Sequence, residues 1–298
     1  MSLSRRFLLA AAAFVAAPLA LAGCTSLQTL NTVNSLTPGD GAASREATDI
    51  AFGSDPRQKL DIYKPEGITP GSAAKVPVIV FFYGGSWNSG RRQDYAFAGR
   101  ALAAQGFVVV VPDYRLVPQV RFPAFVEDAA AAIAWTRANI GKHGGDPDRI
   151  GVAGHSAGAH IAMLVALDPR WLAAAGAPGA IKAAVGLAGP YDFFPFAPGG
   201  AAEAALGGQL DPRITQPISF ASAKSPPVLL LNGADDTTVY PVNAEHLAAA
   251  LKAAGASADY TIYPAIGHIG IILAISKPFR GKAPALADTA AFMHRHLG

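Results

Sequence analysis

Gly154-His155-Ser156-Ala157-Gly158-Ala159-His160 stands between two apolar runs of the chain. It follows Arg149-Ile150-Gly151-Val152-Ala153, an apolar run that reads as a buried strand. It precedes Ile161-Ala162-Met163-Leu164-Val165-Ala166-Leu167, which reads as the body of a helix. Gly154, Ser156 and Gly158 therefore stand at a strand-to-helix turn with the spacing G-x-S-x-G. Such a turn strains its central residue and points the hydroxyl out of the sheet. The flanking glycines keep Cβ atoms out of the neighbouring strand and helix. The helix that starts beside Ser156 offers unpaired N–H groups and a positive dipole end, both favourable to a developing negative charge. A tight turn with a capping serine would satisfy G-x-S-x-G alone. The strand before it and the helix after it favour a nucleophile.

A serine hydroxyl near neutral pH needs a base, an acid that orients the base, and an oxyanion site. The chain has seven histidines. His294 and His296 lie on the last predicted helix, His246 inside another, and His143 in a surface turn. His155 adjoins Ser156, so its side chain points away from that of the serine. His160 sits one helical turn past Ser156, where a partly buried structural histidine is the plainer reading. His268 lies in the loop Ala265-Ile266-Gly267-His268, just past the last predicted strand. Open α/β sheets place their sites at such strand ends, so His268 is the candidate base. The acid belongs beyond a strand end, between Ser156 and His268 in chain order. Gly233-Ala234-Asp235-Asp236-Thr237-Thr238-Val239 fits, and spacing alone does not choose between Asp235 and Asp236. Asp192 is a weaker candidate.

For the oxyanion site, one N–H is that of Ala157, directly after the nucleophile. The glycine-rich loop Gly84-Gly85-Ser86-Trp87, after the apolar run Val76–Tyr83, is the second source. Gly85 to Gly90 also has the outer spacing of a phosphate loop. Arg91-Arg92 follows in place of Lys-Ser/Thr, which rules that reading out.

Composition narrows the remaining classes. The chain has 298 residues, 51% of them apolar and 15% charged, enough for one large α/β domain or two small ones. Its net charge is +3, from 24 basic and 21 acidic residues. Arg5 and Arg6 supply two of the basic residues, and without residues 1–23 the balance is 22 to 21. No basic stripe with interleaved aromatics is present, so nucleic acid is not an expected partner. The single cysteine, Cys24, excludes an internal disulfide and a Cys-based zinc site. No metal and no organic cofactor is implied.

The amino terminus reads as a targeting segment. Ser4-Arg5-Arg6 is its positive region, and Phe7–Ala22 is an apolar run of 16 residues, short of the ~20 that span a bilayer. It closes on Leu21-Ala22-Gly23-Cys24, which resembles the bacterial lipoprotein box, cleaved before a cysteine that is then lipidated. The arginine pair also resembles a twin-arginine export signal, and the sequence does not choose between the two export routes. The expected organisation is a signal peptide at 1–23, a Ser/Thr/Asn/Gly/Pro-rich flexible tether at 24–45, and one domain at 46–298. The expected location is the cell envelope, with the protein exported and held to a membrane through Cys24.

From residue 46 the pattern predicts a hairpin (Glu46–Phe52, Lys59–Lys64), then strands alternating with helices. The strands are Val76–Tyr83, Phe107–Val111, the run before Ser156, Ile181–Ala188, Val228–Asn232 and Ala258–Tyr263. The helices are Tyr95–Gln105, Pro123–Ile140, the one after Ser156, Asn243–Ala254 and Ala285–Leu297. Gly189–Pro227 reads as a long irregular excursion. This order predicts an α/β domain with a mostly parallel sheet covered on both faces.

Together these residues resemble the α/β-hydrolase fold. Within it they resemble the carboxylesterase, acetylxylan/feruloyl esterase-like and kynurenine formamidase-like serine enzymes with an H-G-G-x-W type loop. The carrying residues are GHSAGAH, Tyr83-Gly84-Gly85-Ser86-Trp87, Asp113-Tyr114-Arg115-Leu116-Val117-Pro118, Phe122-Pro123-Ala124 and Asp128. Gly233-x-x-Asp236-x-x-Val239 matches the acid motif of that group, and this resemblance selects Asp236 over Asp235. It implies a catalytic set of Ser156, Asp236 and His268, with oxyanion donors on the backbones of Gly85, Ser86 and Ala157. Tyr83 stands where the loop usually carries a histidine that braces it, and Asn232 replaces a common histidine before Gly233. The implied activity is hydrolysis of carboxylic esters with small to medium acyl or aryl groups, through an acyl-enzyme on Ser156. A non-catalytic envelope lipoprotein, or an amidase or formamidase on the same residues, are the alternatives. Trp87, Tyr191, Phe193, Phe194 and Ile269 are candidate pocket residues, and the phenylalanines alternatively fill a satellite core under the long excursion.

Overall fold

The computed structural model describes residues 40–69 and 75–298. The expected signal peptide, Cys24 and most of the expected tether lie outside the described residues. Among the described residues, no helix is long and apolar enough to cross a membrane.

The chain opens with an antiparallel hairpin, β1 (Ala43–Ala51) and β2 (Lys59–Pro65). β1 starts at Ala43, so its first residues come from the stretch assigned to the tether. The sheet continues with β3 (Val76–Phe82), β4 (Val108–Pro112), β5 (Gly145–His155), β6 (Ile181–Leu187), β7 (Val228–Gly233) and β8 (Ala258–Tyr263). The strands lie in the order β1-β2-β4-β3-β5-β6-β7-β8. β2 runs antiparallel to β4, and every pair from β4 through β8 is parallel. The helices are α1 (Ala96–Ala103), α2 (Ala124–Asn139), α3 (Ala157–Leu167), α4 (Pro169–Ala174), α5 (Ala201–Leu206), α6 (Val242–Ala253), α7 (His268–Leu273) and α8 (Ala285–Leu297).

The apolar runs are continuous because the inner strands are covered on both faces. Val78–Val80 and Val108–Val111 have no exposed surface. α3 is apolar on every side and buried in all but one of its residues, Ala166. It packs on β5 and β6, with α2 and the 3₁₀ turn Pro217–Phe220 beyond it.

The site follows from the strand order. The chain lays β4 on one side of β3 and β5 on the other. The crevice outside the carboxyl ends of β3 and β5 is thus a topological switch point. Phe82 pairs with Gly154, so the glycine-rich loop leaves β3 directly beside Ser156. The excursion after β6 is not wholly irregular. It folds into α5 and two 3₁₀ turns, Pro212–Thr215 and Pro217–Phe220.

Candidate active site

Ser156 occupies the turn between β5 and α3 at φ 55° and ψ −124°. A non-glycine residue held there stores about 1–3 kcal/mol of strain. The glycines that flank it have no room for a side chain. A Cβ on Gly158 would lie 2.2 Å from the Phe82 carbonyl oxygen, and one on Gly154 would lie 2.4 Å from the Gly158 oxygen. The Ser156 N–H donates to the Leu187 carbonyl at 2.9 Å, which fixes the turn to the end of β6.

Three side chains from three strand ends meet at this turn. Ser156 Oγ lies 2.9 Å from His268 Nε2, and His268 Nδ1 lies 2.8 Å from Asp236 Oδ2. A carboxylate only accepts, so Nδ1 carries the proton and Nε2 is free to accept from the serine. Asp236 is 2% exposed. Its other oxygen takes the N–H groups of Thr238 (2.9 Å) and Val239 (2.8 Å), which leaves Oδ2 aimed at the imidazole. Asp235 is exposed. Asp192 pairs with His246 Nδ1 at 2.7 Å on the surface, outside this group. His268 opens the short helix α7 rather than lying in a loop.

The loop after β3 carries the most strained backbone around the site. Ser86 and Trp87 have φ of 51° and 59°, and Gly85 has φ of 141°. Ser86 and Ala157 line the cavity in front of Ser156. Ala157 is the first residue of α3, where backbone N–H groups lack intrahelical acceptors. Gly85 is not a lining residue. Its carbonyl accepts from the Asn88 and Ser89 N–H groups at 3.1 and 3.0 Å and so closes the turn.

A brace that the sequence does not announce holds this loop. Arg57, in the turn between β1 and β2, donates from Nη2 to Tyr83 Oη (2.8 Å) and to the Gly90 carbonyl (2.9 Å). Its Nε donates to the Tyr114 carbonyl at 2.9 Å. Tyr83 stacks on Tyr114 with ring centroids 4.7 Å apart, and Tyr114 Oη donates to the Tyr83 carbonyl at 2.9 Å. Burial, then the Asp113 carboxylate, push the Tyr83 phenol well up, so it stays protonated. Arg92 reaches from the far end of the loop to Asp61 Oδ1 at 2.8 Å and also pairs with Asp113 and Asp49.

The cavity above Ser156 measures about 240 Å³. Trp87 and Phe193 form one wall, stacked 9° from parallel at 6.3 Å. Val239 and Tyr240, shortly after the acid in the chain, also line it, and Pro190 and Ala202 come from the excursion after β6. The expected pocket residues divide. Trp87 and Phe193 line the cavity; Tyr191, Phe194 and Ile269 do not. Tyr191 is 1% exposed and fills the space over Gly186 and Gly189 in the core. Phe194 is 52% exposed, because the residue before it already turns inward. Ile269 follows His268 on α7, away from the residues that line the cavity. Thr238, Val239, Tyr240 and Asn243 are wall residues the sequence reading missed. Their signal was position, since Thr238, Val239 and Tyr240 follow the acid within four residues and Asn243 lies in the first turn of the helix after them.

His160 is not placed to act as the base. Its Nδ1 accepts from Trp87 Nε1 at 3.3 Å and its Nε2 donates to the Thr215 carbonyl at 2.8 Å. Burial lowers its pKa to about 4, so it is a neutral strut that joins the Trp87 wall to the 3₁₀ turn at Thr215.

Known proteins with related sequences and folds agree with this architecture. The chain is 34% identical over 239 residues to the esterase LipC of Mycobacterium tuberculosis, a match covering 74% of this chain and 58% of LipC. It thus spans less than two thirds of that relative's length. Among solved structures it resembles a truncated carbohydrate esterase from gut microbiota, with a TM-score of 0.74 at 22% identity, covering 88% of this chain and 99% of that one. It also resembles Thermogutta terrifontis esterase 2 phosphorylated by paraoxon, with a TM-score of 0.71 at 25% identity, covering 87% and 95%. The BD-FAE family model matches residues 60–251, which hold β2 through α6 with Ser156 and Asp236 in place. On that span the chain has the α/β-hydrolase fold and belongs to the BD-FAE family.

Proposed function

We propose that the protein is a serine hydrolase that cleaves carboxylic esters through an acyl-enzyme on Ser156. The observation that carries this reading is the continuous line from Ser156 Oγ to His268 (2.9 Å) to Asp236 (2.8 Å) at a strained strand-to-helix turn. Ser156 Oγ attacks the ester carbonyl carbon as its proton passes to His268 Nε2. Asp236 holds the imidazole in the accepting tautomer and stabilises the imidazolium. The N–H groups of Ala157 and Ser86, with Gly85 shaping the turn, face the oxyanion. Collapse of the tetrahedral species expels the alkoxide, which takes the proton from His268, and the alcohol leaves. Water then gives a proton to the same nitrogen and adds to the acyl carbon. The second collapse returns the proton to Ser156 and releases the acid.

The apolar wall of Trp87, Phe193 and Val239 favours small to medium acyl or aryl groups. Each buried CH₂ contributes ~0.8 kcal/mol until the cavity is full. Esterase relatives such as LipC, and a neighbour that paraoxon phosphorylates, support the same chemistry. The apolar run closing on Leu21-Ala22-Gly23-Cys24 supports an exported enzyme held to a membrane by a lipid on Cys24. A p-nitrophenyl ester series from acetyl to decanoyl tests the substrate class. kcat/KM rises from acetyl toward butyryl or hexanoyl and then drops, and Phe193→Ala flattens the rise. A profile with no dependence on chain length would remove the apolar acyl site from the account.

A further inference from the structure

One buried titratable group in the site has no part in the chemistry above. His155 directly precedes Ser156 and is 1% exposed. Its Nε2 lies 3.1 Å from the carbonyl oxygen of His268, and its Nδ1 lies 3.1 Å from Tyr95 Oη. A carbonyl only accepts, so Nε2 carries the proton, and Nδ1 accepts from the Tyr95 hydroxyl. The Gly84 backbone N–H faces the Tyr95 oxygen. The polar line therefore runs from the root of the oxyanion loop, through Tyr95 and His155, to the backbone of His268. Contact along it is close: a Cβ on Gly84 would lie 2.9 Å from His155 Nδ1 and 3.0 Å from Ser156 Cβ.

The line is directional, since each member donates one way and accepts the other. It joins the parts that must be held in register: the loop, the nucleophile turn and the base. Burial, then the charge of His268, lower the pKa of His155 to about 3, so the ring is neutral. The rings of His155 and His268 are 5.0 Å apart. A charged His155 at that distance would oppose the imidazolium that forms during acylation.

We propose that His155 is a positioning residue. Its Nε2–H holds the His268 backbone at the height that lets His268 Nε2 reach Ser156, and the Tyr95 hydroxyl holds the ring from its other nitrogen. This rests on the reading of His268 as the base. A histidine that merely fills the core would be replaced without loss by an apolar side chain of similar size. A positioning histidine would not, because the His268 carbonyl loses its donor and the base drifts. A misplacement of about 1 Å costs up to about 10²-fold in rate.

The test compares His155→Leu, His155→Gln and Tyr95→Phe in the full-length protein, with kcat and KM for p-nitrophenyl butyrate measured separately and the Tm of each. Glutamine keeps an N–H donor and an acceptor. We expect His155→Leu to lose about 10²-fold in kcat at nearly constant KM, and His155→Gln to recover most of it. ¹⁵N spectra of the histidine side chains give wild-type His155 as the Nε2–H tautomer. Tyr95→Phe, which leaves His155 Nδ1 without its donor, also loses kcat at nearly constant KM. Equal kcat losses in the leucine and glutamine variants that follow Tm would overturn the proposal, as would a leucine variant with wild-type kcat. If His155→Leu does not fold, Tyr95→Phe decides, and an unchanged kcat overturns it. His268→Ala separates the two readings. Turnover that survives it refutes the base and this proposal together, whereas turnover that needs His268 but not His155 refutes this proposal alone.

Discussion

Two adjacent aspartates follow β7, and the backbone makes them unequal. Asp236 is buried, with one oxygen pinned by the Thr238 and Val239 N–H groups and the other 2.8 Å from His268. Asp235 points to solvent. Asp236→Asn keeps the shape but lets the amide donate where the carboxylate accepted, which favours the wrong imidazole tautomer. We expect kcat to fall about 10⁴-fold, with Asp235→Asn close to wild type; steady-state kinetics of both variants checks this, and the reverse ranking would contradict the assignment. Ser156, His268 and Asp236 were legible because the chemistry demands these residue types at strand ends in this order. The pair Asp235/Asp236 needed the family motif, since both sit within one residue of the right place. Tyr191, Phe194 and Ile269 were misplaced for a different reason. Residues just past a strand end keep no period, so which side chain turns inward depends on packing that a linear pattern does not carry.

The element that distinguishes this site is the loop after β3. Its strained residues, Ser86 and Trp87, need an outside support, and Arg57 supplies it from the β1–β2 turn. Nothing local in the sequence marks Arg57, because its partners are 26 to 57 residues away. Tyr83 in place of a histidine was the visible hint, and the phenol is the acceptor that suits a guanidinium. Arg57→Leu leaves the Tyr83 hydroxyl and two carbonyls short of a donor. We expect a stability loss of about 1–3 kcal/mol, the cost of one buried acceptor left unpaired, together with a fall in kcat larger than any rise in KM. Denaturant unfolding and steady-state kinetics of the variant check both. A change in KM alone would place Arg57 in substrate binding instead of loop support.

At the scale of the whole molecule, the alternation of strand and helix was legible from β3 onward because inner parallel strands are apolar throughout. The short helices α4, α5 and α7 were not, since each is only 6 residues and periodicity has no room to register. Two histidines are folded in as neutral groups, His155 with a pKa of about 3 and His160 of about 4, both lowered chiefly by burial. An unfolded histidine titrates near 6.5. Below that pH the unfolded chain binds more protons than the native one, so stability is full above about pH 6.5 and falls as pH drops toward 4 and then 3. Each histidine contributes up to about 1.4 kcal/mol per pH unit in that window. Urea unfolding between pH 7 and pH 5, above most of the carboxylate range, reads this slope, and a flat stability there would contradict the buried neutral rings. Every step of the proposed chemistry depends on the activation of Ser156. Its most direct measurement is intact-mass and peptide analysis of the folded protein after treatment with a fluorophosphonate. One adduct per chain is expected, on Ser156, absent from Ser156→Ala and slowed severely in His268→Ala. No adduct on the folded wild type, or an equal adduct on Ser156→Ala, would contradict it.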